Sequence, residues 1–301
     1  MTDTPVVHAP RHSLARDFWR QFWRHKGALG GAAVFVLIMV AVLLGPPVHG
    51  VDPQFLDYKA KNQGMSLDHP LGTDNLGRDT LARVLAGGRL SLAVGVAAMV
   101  LSLSLGTGIG VLAGFSVRLD GPLMRLTDLF LALPVLPLLL VAIMLFRDSL
   151  RSAIGPEVGI FVLIVAVIGI TSWMQTARIV RGEVLAVKQT EFVLAARAVG
   201  TGPYRIMARH LLPNALSPIT VSATLGVAQA VITESALSFL GLGFPSDFPT
   251  WGRLLYDGVP FLGLAPSRAI WPGLAISLTV LSINYMGDGL RDAMDPRTRR
   301  R

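Results

Sequence analysis

The 301-residue chain contains no cysteine and has few charged residues. Without cysteine it can form no disulfide framework, no thiol nucleophile and no thiolate metal site. Charged residues make up only 15% of the chain, and 52% of the residues are hydrophobic. Soluble domains usually contain about 25% charged residues. This balance excludes an ordinary soluble domain and indicates an integral membrane protein.

Two further absences bear on function. No stretch matches GxxxxGK(S/T), the loop that cradles phosphates in many ATPases, so we expect no ATP or Mg²⁺ site in this chain. The six histidines lack ligand spacing on one helix face, so we expect no metal site either. The net charge of +8 is explained by basic residues beside cytoplasmic headgroups, and we expect no nucleic-acid partner.

Six apolar segments are close in length to the ~20 residues with which an α-helix crosses a bilayer. They cover residues 27–44, 90–115, 126–146, 158–173, 219–242 and 270–290. The first is followed by Gly45, Pro46 and Pro47 and not by a small-residue cleavage site. We therefore interpret it as a retained span and not as a signal peptide. The fold class we predict is an all-α membrane protein with six transmembrane helices.

The placement of lysine and arginine predicts the orientation. If the N-terminus is cytoplasmic, most of these residues fall in cytoplasmic segments, so we predict that both termini are inside. The predicted parts are a cytoplasmic tail (1–26), a first span with an extracytoplasmic loop (27–89), a five-span core (90–290) and a basic tail (291–301) on anionic lipid. Aromatic residues at helical spacing in 14–26 predict either an amphipathic helix on the inner leaflet or an extension of the first span.

Charge and proline in the third predicted span favour particular local structures. Asp128 lies just inside this span, and we expect Arg125, three residues earlier on the same helix face, to pair with it. A role in transport is the alternative. Pro134 and Pro137 predict a kink in the same span, because proline cannot donate a helical hydrogen bond.

A polar, arginine-bearing island lies between two apolar segments at residues 190–214. Residues 191–199 have helical composition, and Gly200 to Pro203 then favour a break and the first turn of a new helix. We predict a second short helix over 203–212, ended by Pro213. With Arg197, Arg205 and Arg209 exposed on it, this helix–turn–helix is suited to docking on a partner.

The island resembles the EAA loop of ABC importer permeases, which reads Glu-Ala-Ala, three residues, Gly, nine residues, then Ile-x-Leu-Pro. The residues in register are Ala195, Ala196, Gly200, Leu212 and Pro213. Leu194 stands in place of the glutamate and His210 in place of the isoleucine. The string AARAVG…RI..RHLLPN and the block HPLGTDNLGRDTLARVLAGGRLSL resemble one subfamily, the second permease subunit of dipeptide, oligopeptide and nickel importers.

This resemblance implies one of two different transmembrane subunits of an ATP-driven, binding-protein-dependent importer in a prokaryotic cytoplasmic membrane, with no enzymatic activity of its own. The implied partners are a second, homologous permease, one or two cytoplasmic ATPase subunits that hold ATP and Mg²⁺, an extracytoplasmic substrate-binding protein and membrane lipid. The expected solutes are di- or oligopeptides, with nickel, glutathione, opines and glycosides as alternatives.

The resemblance also implies that residues 190–213 are a cytoplasmic coupling loop between spans four and five. The residues expected to meet the ATPase are Ala195, Ala196, Arg197, Gly200, Tyr204, Arg205, Arg209, Leu212 and Pro213. Gly200 would supply the bend, and Arg205 and Arg209 would meet acidic groups. In the outer loop, Asp74 and Asp79 beside Arg78 predict ion pairs and helix N-caps, within either a docking hairpin or a plain stabilising turn.

Three polar residues in the last two spans are candidates for the transport pathway. Glu234 is expected about two turns below the outer surface, where an ionisable group suggests a functional role. It would line the pathway, bind an amino group or cation, or pair with the other permease; alternatively it is a buried hydrogen-bond partner of Ser235 or Ser238. Asn284 and Asp288 would line an inner gate or cap the last helix.

Two other classes compete with a permease. A membrane-embedded enzyme would need an acid, base or nucleophile clustered inside the bilayer, and the two candidates, Asp128 and Glu234, lie on different spans. A passive channel would conduct without nucleotide and would need no docking loop for an ATPase.

Overall fold

The computed structural model describes the backbone of residues 14–294 and the side chains from residue 19 onward. The chain ends, 1–13 and 295–301, lie outside the described residues and include half of the predicted N-terminal tail and most of the basic C-terminal tail. The described part is mostly helical and contains no strand beyond an isolated bridge between Thr73 and Asp79. The helices are α1 (Leu14–Arg24), α2 (Lys26–His49), α3 (Thr80–Phe115), α4 (Val117–Ala132), α5 (Val135–Ile154), α6 (Pro156–Ile170), α7 (Met174–Lys188), α8 (Glu191–Ala198), α9 (Pro203–Ile206), α10 (Leu212–Phe239), α11 (Trp251–Gly258) and α12 (Ser267–Met294).

Four uninterrupted helical segments are long and apolar enough to cross a membrane. They are α2, α3, the continuous run Pro203–Phe239 that contains α10, and α12. Two further pairs meet the same test only together: α4 with α5, bent by 88°, and α6 with α7, bent by 44°. The described residues therefore contain four to six candidate spans. The predicted segments 27–44, 90–115 and 270–290 lie within α2, α3 and α12.

The predicted kink in the third apolar segment is confirmed at Pro134. This proline lies between α4 and α5 with an extended backbone, and Leu133 before it is extended as well, as the residue before a proline prefers to be. Pro137 lies in the first turn of α5, where backbone N–H groups have no helical acceptor and a missing one costs nothing.

Close packing of α3 against α7 depends on glycine. Gly106, Gly110 and Gly114 recur every four residues and lie on one face of α3. A Cβ atom at Gly110 would lie 2.6 Å from the carbonyl oxygen of Ala177, and one at Gly106 would lie 2.7 Å from Cβ of Thr176. Only glycine permits this distance between the two backbones, so the glycine-rich sequence serves helix packing.

Helix α1 is separate from the first candidate span. His25 has an extended backbone between α1 and α2, and its Nδ1 accepts a hydrogen bond of 2.9 Å from the N–H of Ala28, which caps α2. Helix α1 packs against α12 as well as α2. The helix is thus interrupted at His25, and the choice between an inner-leaflet helix and a cytoplasmic extension of the first span stays open.

The helix break predicted at Gly200 is confirmed, whereas the helix end predicted at Pro213 is wrong. Gly200 has φ +80°, and the N–H groups of Gly200 and Thr201 bond back to Arg197 and Ala196, which closes α8. After α9, one π-helical turn over Met207–Leu211 leads directly into α10. Pro213 is the second residue of α10, directly after the π turn, and the helix continues through it.

Candidate functional site

An open groove of about 470 Å³ lies between α3, α10 and the two helix breaks. Its apolar lining includes Met99, Leu131, Val135 and Ile179. Its polar lining residues are Ser102, Thr171, Ser172, Gln175, Thr176, Ser222, Gln229 and Thr233. None of the lining residues is charged. The groove can therefore offer hydrogen bonds and apolar contacts, but no fixed charge, to a solute.

Two of the polar lining residues lie where a helix is interrupted, and the others lie on helices. Thr171 and Ser172 lie in the break between α6 and α7, and the hydroxyl of Thr171 donates to the carbonyl of Val167 at 2.7 Å. Gln175 follows in the first turn of α7 and is exposed. On α10, Gln229 is exposed as well. Two amide side chains, each with a donor and an acceptor, are thus available to a solute in the groove.

Glu234 is fully buried and does not line this groove. Its Oε1 accepts a hydrogen bond of 2.7 Å from Ser238, and its Oε2 accepts one of 3.0 Å from Ser91 on α3. Ser91 in turn accepts a 3.2 Å hydrogen bond from the backbone N–H of Trp251. The carboxylate thus joins α3 to α10 and, through Ser91, to the start of α11.

The other two pathway candidates lie on α12. Asn284 is half-buried and Asp288 is exposed, one helical turn apart. Neither residue lines the groove, so the structure does not bring Glu234, Asn284 and Asp288 together around it. Their predicted roles in the pathway or the gate remain predictions.

Asp128 pairs with a different arginine from the one predicted. Its carboxylate accepts a hydrogen bond from Arg178 on α7, and Arg125 is not its partner. A second ion pair, between Arg181 and Asp120, also joins α7 to α4. The prediction failed because a partner from a distant segment is placed closer than the neighbour along the helix. Asp128 and Glu234 thus have different partners and form no acid–base pair.

The segment from α8 to the π turn has a buried and an exposed side. Val193, Ile206 and Leu211 are buried and pack with Val184 and Val187 of α7. The ring of Phe192 lies 5.9 Å from the ring of His210, which holds α8 beside the π turn. The buried side thus anchors the segment to α7.

Most of the predicted coupling residues lie on the outer side of this segment. Val199 and Tyr204 are the most exposed large apolar residues there, at 82% and 81%. Ala196 is half-buried; the exposed predicted residues are Ala195, Arg197, Gly200, Tyr204, Arg205, Arg209, Leu212 and Pro213. All but one of the predicted residues are therefore exposed, and they include basic and apolar side chains.

The outer loop contains the predicted ion pairs and the predicted N-cap. Asp79 accepts a 2.7 Å hydrogen bond from the N–H of Ala82 and caps α3, and Asp74 pairs with Arg78 at 2.7 Å. Burial by itself would raise the pKa of Asp74. Hydrogen bonds from the backbone and guanidinium of Arg78 and from the N–H of Leu76 outweigh it, so the pKa lies below its ordinary value.

Sequence reasoning missed the residues that give the groove and the outer loop their polar character. Gln175 and Gln229 line the groove, and Arg83 and Arg268 are buried beside the outer loop. The available signal was their position within or next to apolar segments, where polar side chains are costly unless they face a cavity or a partner.

Two family models match the chain. One, described as the inner membrane component of binding-protein-dependent transport systems, matches residues 106–300. The other, described as the N-terminal TM domain of oligopeptide transport permease C, matches residues 13–64. Together they cover the first candidate span and most of the groove lining, but not Ala98, Met99, Ser102 and Leu103.

Curated relatives match over nearly the full length of the chain. The oligopeptide transport system permease protein OppC of Bacillus subtilis (strain 168) is 38% identical over 299 residues, which are 99% of this chain and 94% of that protein. The di/tripeptide transport system permease protein DppC of Pseudomonas aeruginosa (strain UCBPP-PA14) is 40% identical over 296 residues, 95% of this chain and 93% of that protein. The glutathione transport system permease protein GsiD of Pectobacterium atrosepticum is 38% identical over 287 residues, 94% of this chain and 91% of that protein.

Proposed function

This chain belongs to the family of inner membrane components of binding-protein-dependent transport systems, and we propose that it is one of two permease subunits of an ATP-driven importer of di- and oligopeptides. The family is one of transport permeases and not of enzymes. The names of the relatives support peptides as the solute class, because two of the three proteins described above carry oligopeptide or di/tripeptide transport in their names.

We propose six spans with both termini in the cytoplasm. Each bent helix pair then counts as one span, which agrees with the upper count of six candidate spans in the described residues. The distribution of lysine and arginine supports this orientation. It places α8 and α9 on the cytoplasmic side, between the fourth and fifth spans, and it places residues 50–79 outside.

The groove is proposed as this subunit's half of the translocation pathway. The main support for peptides as the solute is the polar but uncharged lining of the groove, which includes Gln175 and Gln229. A peptide has an amino terminus, a carboxyl terminus and an amide backbone, so a fixed charge of either sign would hold one end and repel the other. Amide and hydroxyl groups can form hydrogen bonds with the backbone of any peptide. Several weak binding sites also allow the solute to dissociate again.

The same lining argues against nickel as the solute. Nickel is held by imidazole, carboxylate or thiolate ligands, and the groove contains none of them. Glycosides and glutathione also form hydrogen bonds with neutral polar groups, so these solutes are outcomes that the transport experiment must separate.

The exposed surface of α8 and α9 is proposed as the contact with the ATPase subunits. Arginine side chains there are suited to acidic partners, and Val199 with Tyr204 supplies apolar area of the kind that interfaces bury. ATP and Mg²⁺ would bind to the ATPase subunits. Closure of the ATPases would then move α8 and, through the buried side of the segment, α7 and the groove.

The experiment that tests the proposal is transport by the purified complex in lipid vesicles. The complex would contain this chain, the second permease, the ATPases and the binding protein. A panel of dipeptides, tripeptides, glutathione, a glycoside, an opine and nickel would be offered with and without ATP. We expect ATP-dependent uptake of peptides in preference to the other solutes.

Two groove variants test the observation that carries the proposal. Gln175→Met and Gln229→Met keep the side-chain volume but remove the amides. We expect each to lower peptide uptake several-fold while the complex still assembles. Gln63→Met, an exposed glutamine of the outer loop that does not line the groove, serves as the matched control. Unchanged uptake in both groove variants would contradict the proposed pathway, and uptake without ATP would indicate a channel.

A further inference from the structure

A small cavity of about 30 Å³ lies between the outer loop and the helices α3, α11 and α12. About 10–15 Å³ is enough for one water molecule, so this cavity has room for about two waters or one small ion. Its charged lining residues are Asp74, Arg83, Asp257 and Arg268. It shares no lining residue with the transport groove.

Arg268 is a buried guanidinium that forms no ion pair within 4 Å among the described residues, although Asp74 acts on its charge from farther away. Its residue exposure is 7%, and its Nη2 donates to Asn62 Oδ1 at 2.7 Å and to the carbonyl of Thr73 at 2.8 Å. Both acceptors are neutral. The ring of Phe261 lies 4.8 Å from its guanidinium carbon. No carboxylate of the described residues lies within 4 Å of it, although a buried charge normally requires one.

Several buried donors at this cavity lack an acceptor. They are Nε and Nη1 of Arg268 and Nε of Arg83, and one lining acceptor, Oδ2 of Asp257, also lacks a hydrogen bond. A buried donor without an acceptor costs about 1–3 kcal/mol, and more when it is charged. Two independent arginines thus present unsatisfied N–H groups where a small space remains between them.

The acidic groups nearby do not neutralise this charge. Asp74 accepts from Arg78 at 2.7 Å and from Arg83 at 2.8 Å, so two guanidinium groups share its carboxylate. Asp257 lies 3.0 Å from Arg253 and 3.6 Å from Arg83. With Arg268 included, the cluster has more arginines than carboxylates. A water molecule would satisfy hydrogen bonds here but would leave the excess positive charge.

We propose that this cavity binds a small monovalent inorganic anion of the size of chloride, held by Arg83 and Arg268. The anion would accept the unsatisfied N–H groups and offset the excess charge. Because Arg268 belongs to α12, Asn62 and Thr73 to the outer loop, and Arg83 to α3, a bound anion would join these three parts of the protein. The role that follows is structural stabilisation of the outer loop against the helices.

Thermal unfolding of the full-length chain in detergent tests the proposal. The chain would be purified without halide and titrated with sodium chloride or with sodium gluconate at equal ionic strength. Gluconate is too large for the cavity, so it controls for salt screening. We expect the unfolding midpoint to rise saturably with chloride and not with gluconate, because a ligand that binds the folded state stabilises it. Identical midpoints in the two salts at every concentration would overturn the proposal.

Variants assign the effect to the cavity. We expect Arg268→Met to weaken the apparent affinity for chloride by about tenfold or more, since hydrogen bonds to a charged group are lost. Arg147→Met is the matched control, because Arg147 is a half-buried arginine that donates to the carbonyl of Gly243 and does not line the cavity. A full chloride response in Arg268→Met would contradict the assignment.

Two further measurements keep the test decisive if Arg268→Met does not fold. Asp257→Asn removes a negative charge from the lining, so it should strengthen the chloride response; a weaker response would count against an anion. Crystals grown in bromide should give an anomalous peak within hydrogen-bond distance of Arg268 Nη1. Density at that position without an anomalous signal would identify the occupant as water and would overturn the proposal.

Discussion

Arg181 of α7 forms a two-pronged ion pair with Asp120 of α4. The Nη2 atom of Arg181 lies 2.7 Å from Oδ2 of Asp120, and Nε donates to Oδ1. The same two helices are joined again by Arg178 and Asp128. Because α4 leads into the 88° bend beside the groove and α7 leads into α8, these pairs connect the proposed ATPase contact with the groove.

We predict that Asp120→Arg lowers both stability and peptide uptake, because it places like charges together. Both side chains are about 30% exposed, so we expect a loss of about 1 kcal/mol from the missing pair and somewhat more from repulsion. The double variant, Asp120→Arg with Arg181→Asp, should recover most of the lost stability and most of the lost peptide uptake. Unfolding and vesicle uptake would be measured together. Asp148→Arg on α5 is the control for an exposed acid, and absence of rescue by the double swap would refute a direct pair.

The glycine face of α3 gives a second prediction, with its control on the same helix. Gly110→Val should destabilise the chain by about 1–3 kcal/mol, because its side chain would collide with the backbone of Ala177 and with Val180. Gly108→Ala should be neutral or slightly stabilising, since a Cβ atom there meets nothing within 4 Å and alanine favours helix over glycine. The two variants, Gly110→Val and Gly108→Ala, would be compared with the wild type by their unfolding midpoints. Equal effects at the two positions would show that packing against α7 is not the reason for glycine.

How much the sequence revealed depended on whether a feature was local. Three predicted apolar segments lie within single helices because length and hydropathy are local properties, and the bend at Pro134 followed from proline itself. The break at Thr171 was missed because no proline marks it and the nearby Gly169 is buried within α6. Pro213 was interpreted as a helix end, although proline is also common in the first turn of a helix.

The sites were predicted less well because they depend on contacts between distant segments. Sequence spacing suggested Arg125 for Asp128, but the tertiary fold brings Arg178 instead. Gln175 and Gln229 lie on separate helices, and the sequence around each residue does not predict that both line one groove. The residues 190–213 could be grouped from the sequence because their pattern is contiguous, and their role as a coupling loop stays a prediction.

Glu234 supplies a prediction that separates its two possible roles. Glu234→Gln keeps an acceptor for Ser238, whereas Glu234→Leu leaves the hydroxyls of Ser91 and Ser238 without theirs. We expect the glutamine variant to be nearly as stable as the wild type, and the leucine variant to lose about 2 kcal/mol or more. A purely structural Glu234 would let the glutamine variant transport normally. Loss of uptake in a stable glutamine variant would instead identify a charge needed for transport.

Asp74 leads to a prediction about pH. Its pKa is lowered in the folded chain, so its carboxylate stabilises the fold at any pH above the unfolded pKa of about 3.9. That stabilisation is lost as the pH falls through the lower folded pKa. We expect Asp74→Asn to be destabilised by about 3 kcal/mol at pH 7, because Arg78 and Arg83 lose their shared carboxylate.

The difference between Asp74→Asn and the wild type should therefore shrink below about pH 4. Unfolding midpoints measured from pH 7 to pH 3 would check this, with Asp68→Asn as the control for an exposed acid of the same loop. A constant difference over the whole range would mean that the charge of Asp74 is not what stabilises the loop.

The coupling proposal is tested most sharply at Gly200. Its φ of +80° is closed to proline, whose ring fixes φ near −65°, and its N–H bonds to the carbonyl of Arg197. Gly200→Pro must therefore reshape the turn between α8 and α9. Gly202→Ala is the matched control, because Gly202 has φ −65° and open space around it. We expect binding protein with peptide to stimulate ATP hydrolysis by the complex with Gly202→Ala but not with Gly200→Pro.

Charge reversal on the same surface distinguishes coupling from general damage. Arg205→Glu should weaken association with the ATPase subunits, measured by co-purification, and should lower stimulated hydrolysis with it. Arg118→Glu, another exposed arginine that the proposed topology places in the cytoplasm, should leave both unchanged. If Gly200→Pro and Arg205→Glu both hydrolyse ATP and import peptide like the wild type, α8 and α9 do not transmit the motion. A different cytoplasmic segment would then have to meet the ATPase.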